Sequence, residues 1–195
     1  MSANRGKVVC LVGPSGVGKT SYAKRLVETY SFRFPTVVTT RRARTDDGSH
    51  YEYVSEATFL TMRASGAFLE WDKYTEYYYG TLAQSVTDAT ASDTHAGVIL
   101  DLTPVGCRAV VEAIPTCVVI ALLPDDPAWL FERLKGRNSQ PTEEIQARTE
   151  LLGRYLEEVR DLGCATVYAR FSPDSWDDTF EAIAKIALEA SSTRG

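Results

Sequence analysis

Gly13-Pro14-Ser15-Gly16-Val17-Gly18-Lys19-Thr20, residues 13–20, follow the apolar run Val8-Val9-Cys10-Leu11-Val12 and open a stretch of helical character. The spacing is G-x-x-x-x-G-K-[ST], a pattern that carries meaning only between a strand and a helix, and both flanks are present. Glycines at these positions let backbone N–H groups turn inward around phosphate oxygens, where side chains would clash. The helix that follows adds its unpaired N–H groups and the positive end of its dipole. Gly13, Pro14, Ser15, Gly16, Val17, Gly18, Lys19, Thr20 and Ser21 are therefore the candidate cradle for the polyphosphate of a nucleoside triphosphate. Lys19 would reach the β- and γ-phosphates, and the Thr20 hydroxyl would hold Mg²⁺. A glycine-rich turn without a ligand would need neither the lysine nor the hydroxyl.

Outward from the loop, short apolar runs alternate with amphipathic stretches, the pattern of a mostly parallel α/β sheet. Core strands are predicted over 7–12, 97–102, 117–123 and 165–169, and helices over 19–30, 104–113, 127–135, 142–162 and 175–190. Asp126 before Pro127, Thr142 before Glu143-Glu144, and Ser175 before Asp177-Asp178 mark helix starts. Asp101 follows the apolar run 97–100. A carboxylate at the carboxyl end of a central strand beside the loop is placed to share the Mg²⁺ with Thr20.

Composition bounds the rest. A chain of 195 residues suits one compact domain with small insertions and can bury a sizeable core. A net charge of −5 and a pI near 5.1 argue against nonspecific binding to nucleic acid or to an anionic membrane. No apolar stretch is long enough to span a bilayer, and residues 1–7 lack the apolar core of a signal peptide. Cys10, Cys107, Cys117 and Cys164 are widely separated and mostly lie in apolar runs, which predicts buried free thiols and a cytoplasmic protein. His50 and His95 are too few for a histidine-rich metal site.

Residues 33–90 differ in texture. Segments 35–40 and 49–55 are rich in β-branched and aromatic residues, with Asp46-Asp47-Gly48 as a turn between them. A helix is predicted over 56–65, followed by an aromatic cluster over 68–79. The tyrosines between Tyr51 and Tyr79 either replace aliphatic core in a small lobe or line a nucleotide pocket. Thr39-Thr40-Arg41-Arg42-Ala43-Arg44 puts three arginines just after a strand in an otherwise acidic chain. A solvated patch is the ordinary reading of such a cluster.

The neighbours decide otherwise. With the 13–21 loop and Thr39-Thr40-Arg41 with Arg44 come Tyr51-Glu52-Tyr53-Val54-Ser55, Phe68-Leu69-Glu70-Trp71, Tyr78-Tyr79-Gly80-Thr81, Ile99-Leu100-Asp101, Gly136-Arg137 and Arg148. Together these resemble the guanylate kinase family over nearly the whole chain, residues 7–188. The resemblance implies an α/β, three-layer P-loop NTPase fold with a central parallel sheet, an inserted small mixed-β acceptor-binding lobe over 33–90 and a short lid over 137–148, all in one domain, 1–195. It implies ATP as phosphoryl donor, Mg²⁺ as cofactor, small nucleotides as partners, and a monomer or homodimer. Arg41, Arg44, Tyr51 and Tyr79 would clamp the acceptor's phosphate, a dianion suited to guanidinium forks and phenolic donors. Glu70 would read guanine, accepting from N1–H and N2–H, a pairing that adenine does not offer on that edge. Lys19, Arg41, Arg137 and Arg148 would stabilise the charge of the transferring phosphoryl group.

Three departures stand around the bases. Val37 occupies a position where the family usually has a serine that contacts guanine, and Thr103 one where it usually has an aspartate. Thr81 keeps a hydroxyl that could donate to O6. Near the donor's adenine, the usual Asn-Asp is replaced in Tyr168-Ala169-Arg170-Phe171. GMP or dGMP is the expected acceptor. A modified or different nucleoside monophosphate, or a sugar phosphate such as ribose 1,5-bisphosphate, is the alternative. A catalytically silent protein-binding domain is the reading from another class, and retention of Lys19, Arg137 and Arg148 argues against it. Replacing Lys19 or Arg41 with methionine is expected to abolish most turnover and leave the fold intact.

Overall fold

β1 (Lys7–Val12) is apolar after its first residue because both of its faces are buried. Val9 and Leu11 point to one side, where α1 (Lys19–Tyr30) and the last helix, α5 (Ser175–Glu189), contribute Leu26, Phe180 and Ile183. Val8, Cys10 and Val12 point to the other, where α3 (Ala83–Ala91) and α4 (Pro104–Ala113) contribute Val86, Cys107 and Val110. The period-two alternation of one strand thus defines three layers. The computed structural model describes residues 7–45, 47–74, 76–92, 94–126, 128–130, 155, 157–170 and 175–189.

The main sheet has the order β2-β7-β1-β8-β9, with β2 at Phe32–Arg33, β7 at Gly97–Leu102, β8 at Val118–Pro124 and β9 at Ala165–Ala169. Every neighbouring pair in it is parallel. The predicted elements 7–12, 19–30, 97–102, 104–113 and 165–169 are found with those bounds, and the strand predicted over 117–123 starts and ends one residue later. β2 and α3 were not predicted. A two-residue strand shows no periodicity, and α3 buries only Val86. Lys7 Nζ donates to the carbonyls of Ala187 and Leu188, closing the end of α5, whose last turn has no basic residue of its own.

A second sheet holds β3 (Val37–Thr39), β4 (Tyr51–Tyr53), β5 (Phe68–Tyr74) and β6 (Tyr77–Leu82) in the order β4-β3-β6-β5. β3 and β4 pair in parallel, so the segment that joins them is a crossover. β5 and β6 form the antiparallel hairpin, with an irregularity between Phe68 and Glu70. α2 (Glu56–Ala64), capped by the Ser55 hydroxyl, covers one face with Phe59, which stacks on Phe68 and Tyr78 at 4.6 and 5.2 Å. On this face the aromatics do replace aliphatic core. Of the helices predicted over 127–135 and 142–162, residues 128–130, 155 and 157–160 are described and helical, and 161–162 form a turn. Arg137, Arg148 and the rest of 137–148 lie outside the described residues. All four cysteines are free, Cys10 and Cys107 fully buried and Cys117 and Cys164 half-buried. Among the described residues, no helix is long and apolar enough to cross a membrane.

Candidate active site

The loop between β1 and α1 is shaped by its glycines. A side chain on Gly13 would meet the Leu122 carbonyl oxygen at 2.3 Å, and Gly18, which caps α1, has φ +106°. With a glycine as cap and no acid in the first turn, the N–H groups at the start of α1 are left for an anion. Lys19 turns back so that Nζ donates to the Gly13 carbonyl at 2.7 Å and stands 3.6 Å from Asp101 Oδ1. The Thr20 hydroxyl donates to Asp101 Oδ2 at 2.6 Å. Parallel pairing of β1 with β7, Leu11 opposite Asp101, carries the carboxylate to the loop. A hydroxyl and a carboxylate, both oxygen donors in contact, fit Mg²⁺, which binds few protein groups and completes its shell with water and phosphate.

The second half is set by register. Val37 lies opposite Tyr51 on one side and Thr81 on the other, and Thr81 lies opposite Glu70. Thr39 likewise links Tyr53 and Tyr79, and Tyr79 links Asp72. Residues directly opposed across a sheet share a face. Val37, Tyr51, Glu70, Tyr79 and Thr81, all named from sequence, therefore share the face that α2 leaves uncovered. Burial raises the Tyr51 phenol above its ordinary pKa.

Arg41 stands just beyond β3. Thr40 fixes its approach by exchanging hydrogen bonds with Tyr78, and the Arg41 N–H donates to Thr39 Oγ1 at 3.3 Å. The guanidinium, 6% exposed, forks onto Asp47, with Nη1 2.7 Å from Oδ2 and Nη2 2.6 Å from Oδ1. It lies 4.9 Å from the centre of the Tyr51 ring. Asp47 also accepts from the Arg44 N–H at 2.7 Å and the Tyr53 hydroxyl at 2.5 Å. These donors, Arg41 first, hold the Asp47 carboxyl far below the ordinary carboxylate range, and Asp47 in turn raises the Arg41 pKa. The Arg44 side chain is exposed.

Glu70 is buried, and burial raises its pKa against the opposing effect of two Thr81 donors. Its Oε1 accepts from the Thr81 N–H at 3.1 Å and the Thr81 hydroxyl at 2.5 Å. The hydroxyl expected to donate to a base thus donates to Glu70. Thr103 is also engaged: its Oγ1 caps α4 by accepting from the Gly106 N–H at 3.2 Å and donates to Asp72 Oδ2 at 2.6 Å. A side chain on Gly106 would meet Glu70 Oε2 at 2.6 Å, so a glycine in α4 makes the room in which Glu70 lies. Asp47, Asp72 and Gly106 went unread as site residues. Three arginines in an acidic chain call for a counterion, which could have found Asp47. Positions 70 and 72 of one strand share a face, which could have found Asp72. Nothing local marks Gly106.

The guanylate kinase family model matches residues 5–186. The chain is 34% identical over 157 residues to a guanylate kinase of Symbiobacterium thermophilum, covering 79% of this chain and 74% of that one. It is 38% identical over 154 residues to a guanylate kinase of Mycobacterium leprae, covering 75% and 71%. The crystal structure of guanylate kinase from Anaplasma phagocytophilum shares the fold, with TM-score 0.68 and 22% identity over 98% of this chain and 88% of that one. From the loop through the lobe to α5, the chain belongs to the guanylate kinase family.

Proposed function

We propose that this nucleoside monophosphate kinase transfers the γ-phosphoryl group of ATP to GMP or dGMP, with ATP at the 13–21 loop and the acceptor in the 33–90 lobe. One observation carries the reading. A single face of the second sheet holds a buried carboxylate, Glu70, at one end and a cation with phenols, Arg41 with Tyr51 and Tyr79, at the other. A carboxylate serves a base edge rich in N–H donors, and the cation and phenols serve a phosphate. A sugar phosphate does not need a carboxylate placed to read a base.

Each residue's task follows from chemistry on the page. Backbone N–H groups of Gly16, Gly18 and Lys19 receive the polyphosphate, and Lys19 trades its Gly13 carbonyl partner for phosphate oxygens. Arg41, Arg44, Tyr51 and Tyr79 fix the acceptor phosphate in line with the γ-phosphorus. An acceptor oxygen then attacks, the bond to the β-phosphate bridging oxygen breaks, and ADP leaves. The acceptor phosphate is already a nucleophile, so no side chain has to remove a proton. Catalysis rests on positioning and charge. Thr20 and Asp101 would hold Mg²⁺, which when bound supplies charge neutralisation on the β- and γ-oxygens. Arg137 and Arg148 are assigned to the same charge, in a lid over 137–148, on the sequence resemblance. Four free thiols suit a reducing, cytoplasmic setting.

The test is ADP release with Mg²⁺ and ATP against all ribo- and deoxyribonucleoside monophosphates and ribose 1,5-bisphosphate. Turnover with guanine acceptors at least ten times that with any other is the expected result. Activity confined to a pyrimidine or a sugar phosphate overturns it.

A further inference from the structure

A base edge with two adjacent N–H donors needs two acceptor positions, and Glu70 has little to give. Both lone pairs of Oε1 are taken, one by the Thr81 N–H and one by the Thr81 hydroxyl. Only Oε2, on the side of α4 next to Gly106, remains for a ligand. The next side chain on the same face of β5 is Asp72, opposite Tyr79 and half-buried. Its Oδ2 accepts from Thr103 Oγ1 at 2.6 Å and its Oδ1 from the Lys73 N–H at 2.7 Å, which leaves one lone pair on each oxygen. Thr103 is itself fixed as the cap of α4, so Asp72 is held across the junction between the lobe and the main sheet. The two carboxylates are close enough for Asp72 to contribute to the raised Glu70 pKa.

We propose that Asp72, positioned by Thr103, is a specificity-determining residue that accepts from the exocyclic 2-amino group of a guanine acceptor while Glu70 Oε2 accepts from N1–H. This rests on the guanine reading above. The geometry favours the amino group over the sugar hydroxyls for a simple reason. Glu70 and Thr81 mark the base end of the face and Arg41 with Tyr79 the phosphate end, and Asp72 is the first carboxylate from Glu70 toward the phosphate. On guanine, the 2-amino group is the first donor from N1 toward the sugar. Thr103, whose hydroxyl is used twice within the protein, acts through Asp72 and does not itself read the base.

The experiment measures kcat/KM for GMP, dGMP and inosine monophosphate, which lacks the 2-amino group, in wild type, Asp72→Asn, and the double variant Asp72→Ala with Thr103→Asp. Asp72→Asn is expected to lower kcat/KM for GMP and dGMP about 10- to 100-fold and leave inosine monophosphate nearly unchanged, so that the GMP preference collapses. The double variant returns a carboxylate to the same junction, keeps a good helix cap, and is expected to recover most of the preference. An equal loss for GMP and inosine monophosphate overturns the proposal and leaves Asp72 as a structural tie. A change confined to the GMP to dGMP ratio overturns it in favour of a sugar contact. Wild type with normal GMP turnover and no preference over inosine monophosphate removes this inference alone, whereas no turnover of any monophosphate removes the proposed function with it.

Discussion

The phosphate loop and the acceptor lobe supply the two halves of one site, and they are made in opposite ways. The loop is a continuous stretch whose shape comes from its own glycines and from the strand and helix it joins. The lobe face is drawn from four strands, two of them joined by a parallel crossover, and is braced by a helix from the other sheet. A contiguous site can be altered one residue at a time with local consequences. A site made by register cannot, because its polar groups hold one another in pairs, Arg41 with Asp47, Glu70 with Thr81 and Asp72 with Thr103.

Methionine at position 19 or at position 41 puts that contrast to its hardest test. Lys19→Met is expected to cost at least about 10²- to 10³-fold in kcat, by analogy with the loss of one preorganised charge-stabilising donor. Its melting temperature should change little, since the Lys19 partners are two carbonyls and the partly exposed Asp101. Arg41→Met should lose comparable activity and also some stability, about 1–3 kcal/mol, because the half-buried Asp47 carboxylate is left with only the Arg44 N–H and the Tyr53 hydroxyl. The expectation from sequence that both variants keep an intact fold meets its harder test at Arg41. Replacing both Arg41→Met and Asp47→Leu should return part of the stability and none of the activity. Asp47 has a depressed folded pKa, so its contribution is full above the ordinary carboxylate value of 3.8 and is lost as pH falls below it. Thermal melts of wild type and Arg41→Met should thus differ by a constant amount down to about pH 4 and converge below. Equal stability of the two at pH 7 would break the contrast.

Glu70→Gln comes next. Glutamine can keep the acceptor bonds from Thr81, but it turns an N–H₂ toward the N–H donors of guanine. A loss of about 10- to 100-fold in kcat/KM for GMP is expected. Stability should move the other way. A raised folded pKa means that the carboxyl stabilises the fold below its unfolded pKa and loses that contribution as pH rises through the folded value. At pH 7 the buried charge is a cost that glutamine removes, so Glu70→Gln should melt at or above the wild-type temperature, a trade of stability for activity common at functional sites. A lower melting temperature at pH 7 would mean that Thr81 stabilises the carboxylate more than burial opposes it.

What was legible in the sequence follows the same division. The apolar run 7–12, the glycine spacing and Asp101 at a strand end carry their geometry locally, and the structure brings Lys19, Thr20 and Asp101 together. Val37, Tyr51, Glu70, Tyr79 and Thr81 stand out only through the resemblance to the guanylate kinase family, and register explains why they meet. The parallel pairing of β3 with β4 was illegible because Asp47-Gly48 carries an ordinary turn signal, and only the distant β6 fixes which edge of β3 is left for β4. The Thr81 hydroxyl is read from sequence as a donor to a base because sequence shows which groups a residue has and not which are already spent.

Gly106→Ala gives the smallest effect and the sharpest one. The position is in the first turn of α4, far in sequence from every residue of the lobe, and nothing in its neighbourhood suggests a role in a site. Alanine is the better helix former by as much as about 1 kcal/mol, so on local grounds the change should stabilise. The new methyl group would lie 2.6 Å from Glu70 Oε2 and 3.3 Å from its Cδ, and the carboxylate, being the end of a side chain, can give way. Stability should therefore stay within about 1 kcal/mol of wild type. The displaced oxygen is the one left for the base, so KM for GMP should rise several-fold while KM for ATP stays fixed. If instead KM for GMP is unchanged, Oε2 is not where the base is held, and the lobe tolerates local change as the loop does.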